Sequence, residues 1–471
     1  MIKRPILTLL LLSMLLAACA PNVVLLHPEA DTTPTQLAAP KPTLHIPSAT
    51  AVSATEIPFS PASLSGVRVT LWHGLDGQTG ATLSRMAAEF SQKNEWGVQV
   101  NVVSQKNLSS LAQAADAVMR TPQQPDLLLA LPENAQGWDT QGLVTDLTPY
   151  VKHAKLGLSA DEIKDIPAAF WRQDQLGQRQ LSAPAMRSGR FLFYNVSFAK
   201  ALGFTAPPAS ADDFRKQACA ANASWKTDTD QTNDGFGGLV IENAMTDIDS
   251  PWTAYAWLRS QGSDVYTDGN FAFLTPENQS ALGFLTGLRN DGCAWLSVAT
   301  AGDEALAVHK ALFVAGSLQN LRSQRAAFAG LTDQWTVIPF PGITPAIVVY
   351  GPDYIVLKSD APHQWASWLF IRWMLSPENQ ARWARETSLF PMRISAVDLL
   401  DNIRNANPQW AAAFDLLPQA KIYPQSPLWS KARLVLGDGF FQLFQLNPTE
   451  NDVTQTLKLM DSTVEELTPK K

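Results

Sequence analysis

Trp72 and His73 stand side by side at the end of an alternating run, Val67-Arg68-Val69-Thr70-Leu71-Trp72-His73. An indole offers a broad apolar face for stacking, and an imidazole can give or take a hydrogen bond with a hydroxyl. Together they suit recognition of a flat, polyhydroxylated ring. The plain alternative for His73 is a loop histidine satisfied locally. Other reactive groups give no sign of catalysis. The sequence holds no G-x-S-x-G, H-E-x-x-H, C-x-x-C, G-x-G-x-x-G or phosphate-loop motif. Carboxylates are plentiful, yet no spacing marks a glycosidase pair. The run Asp228-Thr229-Asp230-Gln231-Thr232-Asn233-Asp234-Gly235 begins like a calcium loop, with Gly235 sixth from Asp230. The twelfth place is Ile241, with Glu242 one residue late, so a solvated loop is expected and no metal or cofactor is assigned.

The elements around this pair read as an open α/β sheet. Leu83, Met86, Ala87 and Phe90 form one helix face, residues 98–103 (VQVNVV) a second strand, and Leu108, Leu111, Ala115 and Val118 another helix. Residues 125–130 (PDLLLA) are continuously apolar, as in a strand buried on both faces. Such sheets bind ligands beyond the carboxyl ends of their strands, where Trp72, His73 and the turn after Ala130 fall. Later, Val348-Val349-Tyr350 and Ile355-Val356-Leu357 are strands interrupted by Gly351-Pro352. Asp360 and Ser376 are N-caps of two helices, with Pro362 and Pro377 in the first turns.

Hydrophobic residues make up 46% of the 471, enough for a large core in two or three domains. The net charge of −7, with no Lys/Arg block, excludes nucleic acid as a direct ligand. Tryptophans outnumber tyrosines 15 to 7, an excess that fits stacking on sugar faces. Residues 1–19 form a lipoprotein signal: basic Lys3 and Arg4, a short apolar stretch, and Leu16-Ala17-Ala18-Cys19, whose cysteine would carry the lipid. The alternative is an ordinary signal peptide with an incidental cysteine. Residues 20–66, rich in Pro, Thr, Ala and Ser, read as a disordered tether to the membrane. Cys219 and Cys293 are the two cysteines left, and an exported setting favours a disulfide over two free buried thiols.

Several motifs follow one another in order. Residues 142–150 read GLVTDLTPY. Phe193-Tyr194-Asn195-Val196 precedes Leu202-Gly203-Phe204 and Pro207-Pro208. Then come Phe313-Val314-Ala315-Gly316-Ser317, Pro339-Phe340-Pro341, Tyr350-Gly351, Ser376-Pro377-Glu378-Asn379-Gln380 and Pro391-Met392-Arg393. Together these resemble the extracellular solute-binding proteins of the sugar-binding, maltose-binding-protein-like class, the receptor subunits of ABC importers. The resemblance spans nearly all of residues 67–467. It departs at Leu318 and Gln319, where Ala-Met is usual.

The resemblance implies an α/β, two-lobed periplasmic-binding-protein-like fold of type II with three interdomain crossings. These would lie near Arg190–Tyr194, Pro339–Pro341 and Pro391–Ser395. Domain one would be residues 67–189 and 342–392, and domain two 190–341 and 393–467. A carbohydrate would lie in the cleft, stacked on Trp72 and Trp252. His73, Arg187, Tyr350, the Gly351 backbone and Arg393 would supply polar contacts; the alternative for the two arginines is a structural inter-lobe ion pair. The alternative for Trp252 is core packing. The chain would catalyse no reaction. It would be lipid-anchored outside the cytoplasm and deliver its solute to an ABC permease. Alternatives are a secreted carbohydrate-active enzyme, a binder of a non-sugar polar solute such as a glycerol phosphate or polyamine, and a structural lipoprotein that has lost binding.

Overall fold

The computed structural model describes residues 57–227, 229–241, 249–297, 302–445 and 448–468. The signal segment, Cys19 and most of the tether lie outside these, as do Asp228 and Glu242 of the acidic loop. Among the described residues no helix is long and apolar enough to cross a membrane.

Two sheets organise the body. In the first, Gln99–Ser104, Arg68–His73 and Leu127–Ala130 run parallel, and Asp353–Val356 joins antiparallel, followed by the short strand Ala183–Pro184. All four residues of Leu127–Ala130 are buried, as its unbroken apolar run requires. In the second sheet, Ala294–Leu296, Leu239–Ile241 and Phe313–Ser317 are parallel. Ser188–Asn195 pairs antiparallel with Phe313–Ser317, Trp335–Ile338 and Ile347–Tyr350. Parallel pairing of Ala420–Lys421 with Ile347–Tyr350 completes it.

Helices cover these sheets where periodicity and caps predict them. Gly77–Lys93 buries Leu83, Met86, Ala87 and Phe90. Asp360 accepts from the His363 N–H at 3.0 Å and starts Ala361–Met374, which buries Ala366, Leu369 and Phe370. Burying each of the two large side chains is worth about 1.5–3 kcal/mol. Cys219, in helix Ala211–Trp225, is disulfide-bonded to Cys293 beside the strand Ala294–Leu296.

The first two crossings both depart from expectation. The first falls between Pro184 and Ser188, ahead of the expected Arg190–Tyr194, which lies inside a strand of the second sheet. The second was expected at Pro339–Pro341, with domain one resuming at residue 342. Instead Ile347–Tyr350 still bonds to Ser188–Asn195, and the chain changes sheets at Gly351–Pro352. The Gly-Pro pair breaks the strand, whereas the prolines at 339 and 341 only shape a loop inside the second sheet.

Candidate functional site

A cavity of about 340 Å³ opens where the two sheets face each other. The first sheet contributes the turns that follow its parallel strands: Gly74, Leu75 and Asp76 after Arg68–His73, and Leu131 after Leu127–Ala130. Helices Gly77–Lys93, Leu108–Val118 and Pro132–Thr140 all begin there, through Thr79, Leu108 and Leu131. Gly74 has no room for a side chain: a Cβ would stand 2.3 Å from the Asn107 carbonyl carbon. The second sheet contributes Ser188, Asp249, Trp252, Gln319, Tyr350 and Arg433. Met186, Gly351 and Pro352 form the floor, at the first two crossings. A roomier groove of about 570 Å³ lies between helices Pro276–Asn290 and Glu450–Leu467, but it is lined by the second lobe alone.

Tyr350 and Trp252 stack in parallel, with centroids 4.6 Å apart and planes within 4°. Tyr423 meets the indole edge-on at 5.0 Å. The Arg433 guanidinium lies over the same indole at 5.3 Å, and its Nη1 donates to Glu133 Oε1 at 2.7 Å. That contact bridges the lobes, since Glu133 opens helix Pro132–Thr140 and Arg433 sits in Trp429–Gln445. Burial raises the Glu133 carboxyl above its usual range, while Arg433 pulls it back. The Tyr350 hydroxyl is pushed well up by burial and by the neighbouring Asp249 charge. Arg190, buried behind it, donates to Thr253 Oγ1 at 2.7 Å and lies 3.8 Å from Asp249. Ser188 fixes the Gln319 side chain with a 2.6 Å hydrogen bond.

Of the seven ligand contacts expected from sequence, three line this cavity: Trp252, Tyr350 and Gly351. Trp252 is only 5% exposed, with Tyr350 and Arg433 against it, so it offers no open face for a sugar ring. Trp72 does not reach the cavity. It points to the opposite side of its strand from Val69 and Leu71 and packs with Leu111, Ala115 and Leu128. His73 is 3% exposed and its Nδ1 accepts from the Leu75 N–H at 3.0 Å; it shapes the turn that presents Leu75 and Asp76. Burial lowers its pKa.

Arg187 and Arg393 are structural. Arg187, 1% exposed, pairs with Asp174 and Asp353, both at 2.6 Å. It also donates to the carbonyls of Gly351 and Pro352, and its own carbonyl accepts from the Phe390 N–H at 3.1 Å. Arg187 thus ties the first two crossings to each other and to the segment at Phe390. Burial, opposed by Arg187, raises the carboxyls of Asp174 and Asp353. Arg393 bonds to Asp165 at 2.7 Å, away from the cavity. The sequence reading missed Asp76, Ser188, Asp249, Arg433 and Glu133. It noted Gln319 only as a departure from pattern, and the departure stands on the cavity wall. The acidic loop forms a local turn, Asp230 accepting from Thr232 N–H at 3.0 Å.

Comparison with known proteins supplies the remaining findings. Residues 85–417 match a family model described as bacterial extracellular solute-binding protein. The chain is 22% identical over 365 residues to the sn-glycerol-3-phosphate-binding periplasmic protein UgpB of Salmonella typhimurium, covering 74% of this chain and 79% of that one. In fold it is similar to MalE, the sugar-binding protein of Xanthomonas citri (TM-score 0.72, 17% identity, 85% of this chain and 98% of that one). It is similar also to the cyclic alpha-maltosyl-1,6-maltose binding protein of Arthrobacter globiformis (TM-score 0.71, 17% identity, 85% and 100%). A third solved structure, UgpB of Mycobacterium tuberculosis in complex with glycerophosphocholine, aligns with a TM-score of 0.66 at 18% identity over 86% and 98%.

Proposed function

The chain belongs to the bacterial extracellular solute-binding proteins, and on that footing we propose that it is a receptor that takes a carbohydrate into the inter-lobe cavity and hands it to an ABC import permease. The observation that carries this reading is the cavity itself. Its volume of about 340 Å³ falls at the low end of the usual small-molecule range. It is walled from both lobes by hydroxyl, amide, carboxylate and guanidinium groups beside an aromatic pair. Lobe one comprises residues 67–186 and 352–392, and lobe two 188–350 with the chain beyond 393. The lobes turn about the crossings at Arg187 and Gly351, so a ligand touching both walls favours closure. Cys19 carries the lipid and residues 20–66 hold the body off the membrane. No reaction is catalysed.

Thermal unfolding of the full-length chain against sugars, polyols, sugar phosphates, glycerophosphodiesters and polyamines tests this. A sugar at 100 times its Kd should add about 2.7 kcal/mol, and Gln319→Ala should abolish the shift. A flat panel would overturn the receptor reading. Turnover of a chromogenic glycoside, lost on replacing one carboxylate, would replace it with an enzyme.

A further inference from the structure

Each guanidinium around the cavity already has a carboxylate. Arg433 is paired with Glu133, Arg187 with Asp174 and Asp353, and Arg190 stands beside Asp249. Arg433 is the only Lys or Arg among the described residues that line the cavity, and Asp76 and Asp249 line it too. Two of the three helix N-termini that open there carry acids that offset their partial positive charge, Asp76 at one cap and Glu133 in the other's first turn. Among the described residues, a phosphate placed in this cavity would meet no uncompensated cation.

Arg433 is nevertheless built to donate. Glu133 holds its Nη1, Trp252 supports its plane, and its other N–H groups donate to no described residue. The remaining N–H groups lie in one plane and can donate to two neighbouring hydroxyl oxygens, which need donors but bring no charge; with Glu133 already balancing the guanidinium, the charge attraction that would favour a phosphate is offset. Resting on the receptor reading above, we infer that Arg433 is the specificity-determining residue of the cleft and selects an uncharged vicinal diol over any phosphate ester of it. Glu133 is its positioning residue. The indole of Trp252 serves as a platform for the guanidinium and not for the ligand.

The test is calorimetric titration of the full-length chain, in detergent, with matched pairs: glucose and glucose 6-phosphate, maltose and maltose 1-phosphate, glycerol and sn-glycerol 3-phosphate. In every pair that binds, the neutral member should bind at least tenfold more tightly. Arg433→Lys keeps the charge and loses the fork, and should weaken the neutral ligand at least tenfold. Glu133→Gln keeps an acceptor for Arg433 but removes the balancing charge, so the neutral-to-phosphate affinity ratio should fall at least tenfold. A merely structural role for Glu133 would weaken both members alike. Circular dichroism checks that the buried substitution folds, and Arg433→Lys, on a partly exposed side chain, tests the inference without it. A phosphate ester that binds more tightly than its neutral partner, or a ratio unchanged in Glu133→Gln, overturns the inference and leaves the receptor standing. Failure of every compound to bind removes the receptor reading, and the inference with it.

Discussion

The carbonyl oxygen of Met186 lies 2.3 Å from where a side chain on Gly351 would begin. The first two crossings between the sheets therefore pass in backbone contact, and Met186 N–H donates to the Pro352 carbonyl at 3.3 Å. Gly351 also sits at φ +149°, a conformation that other residues rarely adopt.

Gly351→Ala should therefore be costly twice over. Strain alone is worth about 1–3 kcal/mol, and the collision with Met186 adds to it by forcing the crossings apart. Chemical denaturation should show a loss of at least about 2 kcal/mol. Small-angle scattering should show weakened ligand-linked closure. A variant with wild-type stability would mean that the two crossings can separate freely.

Arg187→Met should be more damaging, because it strands two buried carboxylates. Removing one partner of a buried pair costs about 3–5 kcal/mol. The pH dependence carries the diagnosis. Asp174 and Asp353 already have raised pKa values in the folded protein, and without Arg187 they rise further. The folded state then holds more protons than the unfolded one, whose aspartates titrate near ~3.9. The defect should be largest at pH 8 and shrink as the pH falls toward 5. A defect independent of pH would argue for lost packing instead.

His73 works in the opposite direction. Its folded pKa is lowered by burial, whereas in the unfolded chain it titrates near ~6.5. Below that value the unfolded chain binds the extra proton, so stability should fall as the pH drops through about 6. His73→Asn keeps an acceptor for the Leu75 N–H and cannot titrate in this range. Melting curves from pH 7.5 to 5 should show a shallower acid loss for the variant.

Much of this architecture is legible in local sequence. The all-apolar Leu127–Ala130, the Asp360 and Ser376 caps and the Gly351-Pro352 break each carry their own physical cause. A cavity does open beyond the strand ends, where the sequence reading set the cleft. The errors there came from facing. Alternation shows that Leu71 and Trp72 point to opposite sides, but not which side meets a helix and which meets solvent. Trp72 went under helix Leu108–Val118, and the cavity began at Gly74. The arginines were misjudged for a similar reason. Position near a crossing does not distinguish a cation aimed at a ligand from one holding the crossing together. Arg433 and Glu133 were out of reach. Each belongs to an ordinary helix, and only the folded body brings them together.

Where the described body begins also matters. The Pro58 carbonyl accepts from Trp365 Nε1 at 3.0 Å, and Phe59 packs edge-on against the same indole at 5.1 Å. Trp365 belongs to helix Ala361–Met374, which lies on the first sheet. Any pull arriving through the N-terminus is thus borne by the lobe that carries Asp76 and Glu133. In the tethered receptor we propose, that lobe is the held jaw and the lobe carrying Arg433 the one that swings.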